Sequence, residues 1–318
     1  MPRYRHELPQ LKGDPFLTDG GLETTLMFHD GIDLPAFAAF VMLESEEKRE
    51  RLRQYYRDYM NLARDHRMGF VLESVTWRAN RDWGQEIGYT PEDLDDINRR
   101  SIELLEKLRA EYDGQIPHIV ISGCLGPRGN GYSPTIATTA REAEAYHRRQ
   151  IATFRETEAD MVSAFTIPCI AESAGIARAA RAEGMPVVIS FTVETDGRLP
   201  SGETLGDAIE QVDDATDGRP AYYMINCAHP THFSDTLGEE PWVKRIRAVR
   251  ANASTRSHAE LDSSAELDAG DPQDLGNRYK DLADRLDHLS VFGGCCGTDR
   301  RHAAKICESI TSMRGGPP

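Results

Sequence analysis

The run Gly293-Gly294-Cys295-Cys296-Gly297-Thr298, read with the distant Asn226-Cys227, offers three thiols to one metal ion. Sulfur is a soft donor, and three cysteines make a ligand set that can hold Zn2+ with a fourth position left open. Adjacent side chains on a strand point to opposite faces, so Cys295 and Cys296 can share an ion only where a strand has ended and the backbone turns. The flanking glycines permit such a turn. Thr298 reads as the N-cap of a last helix with an apolar face through Ala303, Ile306 and Ile310. The cysteine pair then stands at a strand-to-helix junction, where a helix N-terminus favours thiolate over thiol.

Three thiolates and an open position suit one kind of chemistry. A metal-bound thiol with a free pKa near ~8.5 is present as thiolate at neutral pH. Three anionic ligands more than neutralise the dication, so it is a poor activator of water and leaves a bound sulfur electron-rich. That favours alkyl transfer over hydrolysis, although a zinc hydrolase on a similar fold stays open as an alternative. An in-line displacement needs positioning rather than a general base. Asp19 can meet an ammonium or sulfonium group, the amides of Gly20 and Gly21 a carboxylate, and Trp77 a positive charge. Glu73 and Asn226 complete the candidate substrate set. A structural zinc would instead take a fourth ligand, and His229 or His232 near Cys227 could supply it. Cys124, Cys169 and Cys307 read as small buried or neighbouring residues.

Something must bring these residues together. Short apolar runs alternate with amphipathic stretches along the whole chain, as when parallel strands are joined by crossover helices. Strands are expected at Phe16 to Asp19, Gly69 to Ser74, His118 to Gly123, Met161 to Thr166, Pro186 to Phe191, Ala221 to Asn226, Ile246 to Ala251 and Leu289 to Phe292. Leu52, Tyr55, Tyr56, Tyr59, Leu62 and Ala63 recur at helical spacing, Thr90-Pro91 opens a second helix, and Thr139 to Glu142 offers a capping box for a third. With no linker dividing them, the pairs predict a single-domain α/β (β/α)8 TIM barrel over residues 1–318, with a doubly wound open sheet as the alternative. Active sites of such barrels sit at the carboxyl ends of the strands, where Cys227, Cys295-Cys296, Asp19-Gly20-Gly21 and Glu73 to Trp77 all fall. Gly126 to Gly131 reads as an active-site loop, and the acidic stretch from Ser257 to Asp274 as a solvated connection.

The formal net charge of -15 makes nucleic acid or an anionic membrane an improbable partner, leaving small molecules as the expected ones. Six irregularly spaced cysteines and no apolar N-terminal stretch point to a reducing cytoplasmic setting. No apolar run approaches the roughly 20 residues of a membrane span.

With Asp19-Gly20-Gly21 after the first strand, Asn226-Cys227 after the sixth and Gly293-Gly294-Cys295-Cys296-Gly297-Thr298 after the eighth, the chain resembles the homocysteine S-methyltransferase family over nearly its whole length. Ser122-Gly123, Leu125-Gly126-Pro127 and Ser190-Phe191 look like family segments at the third and fifth strands. The resemblance implies a (β/α)8 barrel, zinc on Cys227, Cys295 and Cys296, and methyl transfer to homocysteine sulfur to give methionine. The donor it implies is small, of the S-methylmethionine, S-adenosylmethionine or betaine type. Two departures stand out. Where the family's fourth strand ends in a glutamate that holds the homocysteine amino group, this chain has Phe165-Thr166-Ile167-Pro168, leaving Glu73 or Glu172 to substitute. Where its seventh strand carries a Pro-Asn-Ser/Ala-Gly stretch, this chain has Arg250-Ala251-Asn252-Ala253-Ser254 and keeps only the asparagine. These mark a divergent branch. They also leave a methyl-carrier or regulatory role without turnover as a further alternative.

Overall fold

The eight apolar runs form eight parallel strands in the computed structural model, which describes residues 1–133 and 138–313. They are β1 (Phe16–Leu17), β2 (Gly69–Glu73), β3 (Ile119–Leu125), β4 (Met161–Ile167), β5 (Val187–Phe191), β6 (Tyr222–Asn226), β7 (Ile246–Ala251) and β8 (Val291–Gly294). Each pairs with its neighbour in sequence, and β8 returns to pair with β1 through Val291 and Phe292. The sheet closes, so the expected (β/α)8 barrel is the fold and the open sheet is not.

The main crossover helices are α1 (Glu46–Asp65), α2 (Pro91–Glu111), α3 (Ala140–Arg155), α4 (Ile170–Ala182), α5 (Leu205–Thr216), α6 (Pro230–Phe233), α7 (Pro272–Arg285) and α8 (Arg300–Met313). The sixth crossover is reduced to four helical residues and two short 3-10 turns. α1 buries the tyrosine stripe that its periodicity announced. α2 and α3 begin at capping boxes, Thr90 with Asp93 and Thr139 with Glu142, each contributing about 1 kcal/mol of helix stability. α8 begins differently from expectation. Asp299 Oδ1 accepts from the Arg301 amide at 2.8 Å, while the Thr298 hydroxyl donates back to the Cys295 carbonyl at 2.7 Å. The aspartate one position on serves the helix, and the threonine serves the cysteine turn.

Inside the barrel, Phe16, Val71, Val120, Val188, Tyr222, Met224, Ala248 and Val291 form an apolar plug. Fully burying a valine-, methionine- or phenylalanine-sized side chain stabilises by about 1.5–3 kcal/mol, and the alanine by less. Side chains alternate along a strand, so the next inward positions toward the carboxyl ends are Glu73, Ser122, Ser190, Asn226 and Arg250. A polar layer therefore rests on the apolar one, directly beneath the rim where barrel enzymes work.

Candidate functional site

β7 supplies none of the three cysteines yet positions all of them, because it lies between β6 and β8. The Cys227 amide donates to the Arg250 carbonyl at 3.1 Å and the Cys295 amide to the Ala251 carbonyl at 2.8 Å. The Ala253 amide donates to the Cys296 carbonyl at 3.1 Å, and Asn252 Nδ2 donates to the Cys227 carbonyl at 2.9 Å. Cys227 turns off its strand in the left-handed region (φ 55°), a conformation that costs a non-glycine residue free energy and recurs at functional sites.

The three sulfurs converge. All lie within 4.8 Å of one another, with Cys227 and Cys296 Sγ atoms 3.9 Å apart and the Cys227 and Cys295 sulfurs in direct, disulfide-like contact. Among the described residues no histidine joins this cluster. His229 caps α6 through Thr231, and His232 hydrogen-bonds the Thr255 carbonyl.

The glycines of the motif act by close approach more than by turning. Gly293 and Gly294 end β8, and a Cβ on either would run into a threonine, Thr18 for the first and Thr298 for the second. The left-handed residue is Gly297 (φ 78°), after the pair rather than before it. Nor does the scaffold alone favour thiolate at Cys296: burial pushes its thiol up to about 12, with Glu23 reinforcing the shift.

Asp19, Gly20, Gly21, Glu73, Trp77, Asn226, Cys227, Cys295 and Cys296 all line one cavity of about 650 Å³. Their surroundings differ from the roles expected of several. Asp19 is buried and already paired, its Oδ1 accepting from Arg250 Nη2 at 2.7 Å and its Oδ2 from the Tyr55 hydroxyl at 3.2 Å. The Gly21 amide is spent on the Thr298 carbonyl at 3.1 Å, so it is not free for a substrate carboxylate. The indole of Trp77 carries the Arg78 guanidinium 3.9 Å from its ring centre. Asn226 braces three strand ends: Oδ1 accepts from the Thr166 amide at 2.9 Å and the Ser190 hydroxyl at 2.6 Å, and Nδ2 donates to Thr166 Oγ1 at 2.8 Å. Thr166 is thereby held at φ 60°, beside a register shift in β4.

Of the two carboxylates weighed against Phe165, Glu172 does not line the cavity. It accepts from the Arg128 amide at 2.7 Å and hydrogen-bonds His147 Nε2 at 2.8 Å. Glu73 does, and neither of its oxygens has a hydrogen-bond partner at normal distance among the described residues, although the Ser122 and Ser163 hydroxyls, which bond each other at 2.8 Å, lie near enough to favour its charged form. Burial raises the Glu73 carboxyl to about 7 from an ordinary 4.5, with Arg250 opposing but not overcoming the shift. The folded protein thus holds this proton more tightly than the unfolded chain. Stability from it is full below about pH 4.5 and lost as pH rises through about 7. Glu73→Gln should remove that dependence and be more stable at pH 8 by up to about 3 kcal/mol. Urea unfolding at pH 5 and pH 8 measures it; parallel losses in both proteins would contradict it.

Sequence reasoning missed Glu23, Arg78, Tyr132 and His258, which also line the cavity. It also misread part of the acidic stretch. The short helix His258–Asp262 and residues Ser264, Glu266, Leu267 and Asp268 form a cavity wall, with Leu261 and Leu267 giving it an apolar inner face.

A closed parallel barrel whose carboxyl rim carries three convergent thiols above a cavity defines a class of enzyme that works on small molecules through sulfur. The sequence model of the homocysteine S-methyltransferase family matches residues 16–310. The chain belongs to the homocysteine S-methyltransferase family and is an S-methyltransferase. It is 24% identical to the selenocysteine Se-methyltransferase of Brassica oleracea var. italica, over 97% of this chain and 92% of that one. The metallated form of the Escherichia coli homocysteine methyltransferase MmuM shares its fold with TM-score 0.73 at 20% identity, over 93% of this chain and 96% of that one. The apo form of the same enzyme aligns with TM-score 0.66, over 94% and 97%. Among the described residues no helix is long and apolar enough to cross a membrane.

Proposed function

We propose that this enzyme methylates homocysteine to methionine, using a small cationic donor and zinc held by Cys227, Cys295 and Cys296, in the cytoplasm. The observation that carries the reading is the convergence of three thiols on the cavity wall. A tetrahedral zinc with Zn–S bonds near 2.3 Å sets its sulfurs about 3.8 Å apart, and the 3.9 Å between Cys227 and Cys296 fits. Cys227 and Cys295 must be present as reduced thiolates to join the same ion. When bound, the metal supplies deprotonation of the acceptor thiol and keeps its sulfur nucleophilic.

The chain's own residues do the rest. Phe165 carries no carboxylate and its ring already faces the Arg250 guanidinium, 5.0 Å from its centre, and Asp19 has spent its charge on Arg250. Glu73, buried, in no ion pair among the described residues and lining the cavity, is left to receive the amino group of the acceptor. The donor's bond to its methyl carbon breaks as the acceptor's sulfur–carbon bond forms, and the electron pair stays with the departing donor atom. The proton lost from the thiol goes to solvent. A selenol, the acceptor in the name of the Brassica relative, undergoes the same displacement.

The test is a panel: reduced, zinc-loaded protein with homocysteine, selenocysteine and simple thiols, each against S-methylmethionine, S-adenosylmethionine and betaine. Methionine from homocysteine is the expected product. Methylation confined to thiols without an amino group would overturn homocysteine and the role of Glu73. No methylated product from any pair would overturn the reaction.

A further inference from the structure

Among the described residues four arginines are buried, and three of them have an ion pair or several carbonyl partners. Arg5 donates to the carbonyls of Arg155, Thr157 and Ala159; Arg109 pairs with Asp160; Arg250 pairs with Asp19. Arg78 is the exception. At 8% exposure it makes no ion pair among the described residues, and its one hydrogen bond there, from Nη1 to the Gly129 carbonyl, is long at 3.5 Å. Its Nε is buried with no hydrogen-bond partner among the described residues. The guanidinium lies between two indoles, 3.9 Å from the centre of Trp77 and 3.7 Å from that of Trp83, and it lines the cavity that the thiols share. Stacking fixes the plane of the fork but leaves its charge uncompensated, an arrangement that is costly unless an anion completes it. A planar guanidinium held in this way matches a carboxylate with paired hydrogen bonds.

Its position in the barrel says which carboxylate. Arg78 follows β2, which stands opposite β6 and Cys227, two strands round the ring from β8 with Cys295 and Cys296, and so three strands away from β7, on which the thiol cluster is centred. The acceptor's sulfur belongs on the cysteine side. An in-line displacement places the donor's leaving atom on the far side of the methyl carbon, toward the opposite wall. We infer that Arg78 anchors the carboxylate of the methyl donor, so that the cavity selects onium compounds carrying a carboxylate. This rests on the methyl-transfer reading above.

The experiment is calorimetric titration of zinc-loaded wild type, Arg78→Met and Arg78→Lys with two matched pairs: S-methylmethionine and its primary amide, and betaine and its amide. Wild type should bind the carboxylate member of at least one pair about tenfold or more tightly than the amide. That ratio should fall to near one in Arg78→Met and to an intermediate value in Arg78→Lys, with far-ultraviolet dichroism and zinc content unchanged. Arg78→Lys, which keeps the charge and much of the stem, carries the comparison if Arg78→Met fails to fold. An unchanged ratio in the soluble variants, no preference in wild type, or no binding of either pair would each overturn the assignment. A carboxylate preference that depends on Arg78, found without any methyl transfer, would instead overturn the reaction. In the active enzyme the KM for donor should rise in Arg78→Lys while that for the acceptor holds. A rise confined to the acceptor would assign Arg78 to the other substrate.

Discussion

Cys227→Ser, Cys295→Ser and Cys296→Ser are each expected to lose bound zinc and methyl transfer together, with zinc per chain falling from near one to near zero after dialysis. Three-thiol sites are held by few bonds, and each bond is a large share of the total. Zinc in sulfur-rich peptide sites is bound by about 10–16 kcal/mol in all. Removing one of three protein thiolates takes away several kcal/mol, roughly a thousandfold or more in affinity. A serine hydroxyl does not replace it, because it is a hard and weakly acidic donor where a soft anion is needed. Cys307→Ser is the control. Cys307 is buried in α8, outside the thiol cluster, so its loss should lower stability without emptying the site. Elemental analysis beside product formation reads both effects. Retention of stoichiometric zinc by any of the three serine variants would refute the shared ion.

The thiol cluster was legible because its signal is local and chemically narrow: two cysteine motifs, each at the end of an apolar run, with a fold that brings strand ends to one rim. The barrel was legible for a related reason, since each strand and helix carries its own periodicity and caps. What escaped was which polar groups would be spent on one another. Asp19 stands at a strand end beside two glycines, and nothing near it in sequence reveals that Arg250 would take its charge. A signal existed all the same. Arg250 shares strand parity with Ala248, which points into the barrel, whereas Arg247 points outward. Arg78 gave no comparable hint, because it lies beyond β2 and is stacked on Trp83 from the short helix Arg81–Glu86 that follows. Of the glycines of the final motif, Gly297 turns the chain as expected, whereas Gly293 and Gly294 are required by close approach instead. Crowding of Gly293 by Thr18 joins distant segments and that of Gly294 by Thr298 lies within the motif, and a turn rule sees neither.

Breaking the Asp19–Arg250 pair should be among the most destabilising changes available to this chain, and removing both partners should be milder than either single change implies. The pair is buried on both sides, with 2.7 Å between Nη2 and Oδ1. Arg250 also donates through Nε to the Gly294 carbonyl at 3.0 Å and through Nη2 to the Gly20 carbonyl at 3.2 Å. One side chain from β7 thus ties the end of β1 to the end of β8, immediately before Cys295. In Asp19→Asn the guanidinium stays buried beside carbonyls that cannot neutralise it, and in Arg250→Met the carboxyl is buried with Tyr55 as its one remaining side-chain partner among the described residues. Losing one member of a buried pair costs about 3–5 kcal/mol, because the other charge is left uncompensated. In the double variant neither charge remains, so urea unfolding should show a deficit at least about 2 kcal/mol smaller than the sum of the singles. Simple additivity would mean that the two side chains do not act as a pair. The cycle also separates the two duties of Arg250. Asp19→Asn keeps its bonds to the Gly20 and Gly294 carbonyls and should retain zinc. Arg250→Met removes the tie to β8, and its zinc should leave faster even at temperatures where the barrel is intact.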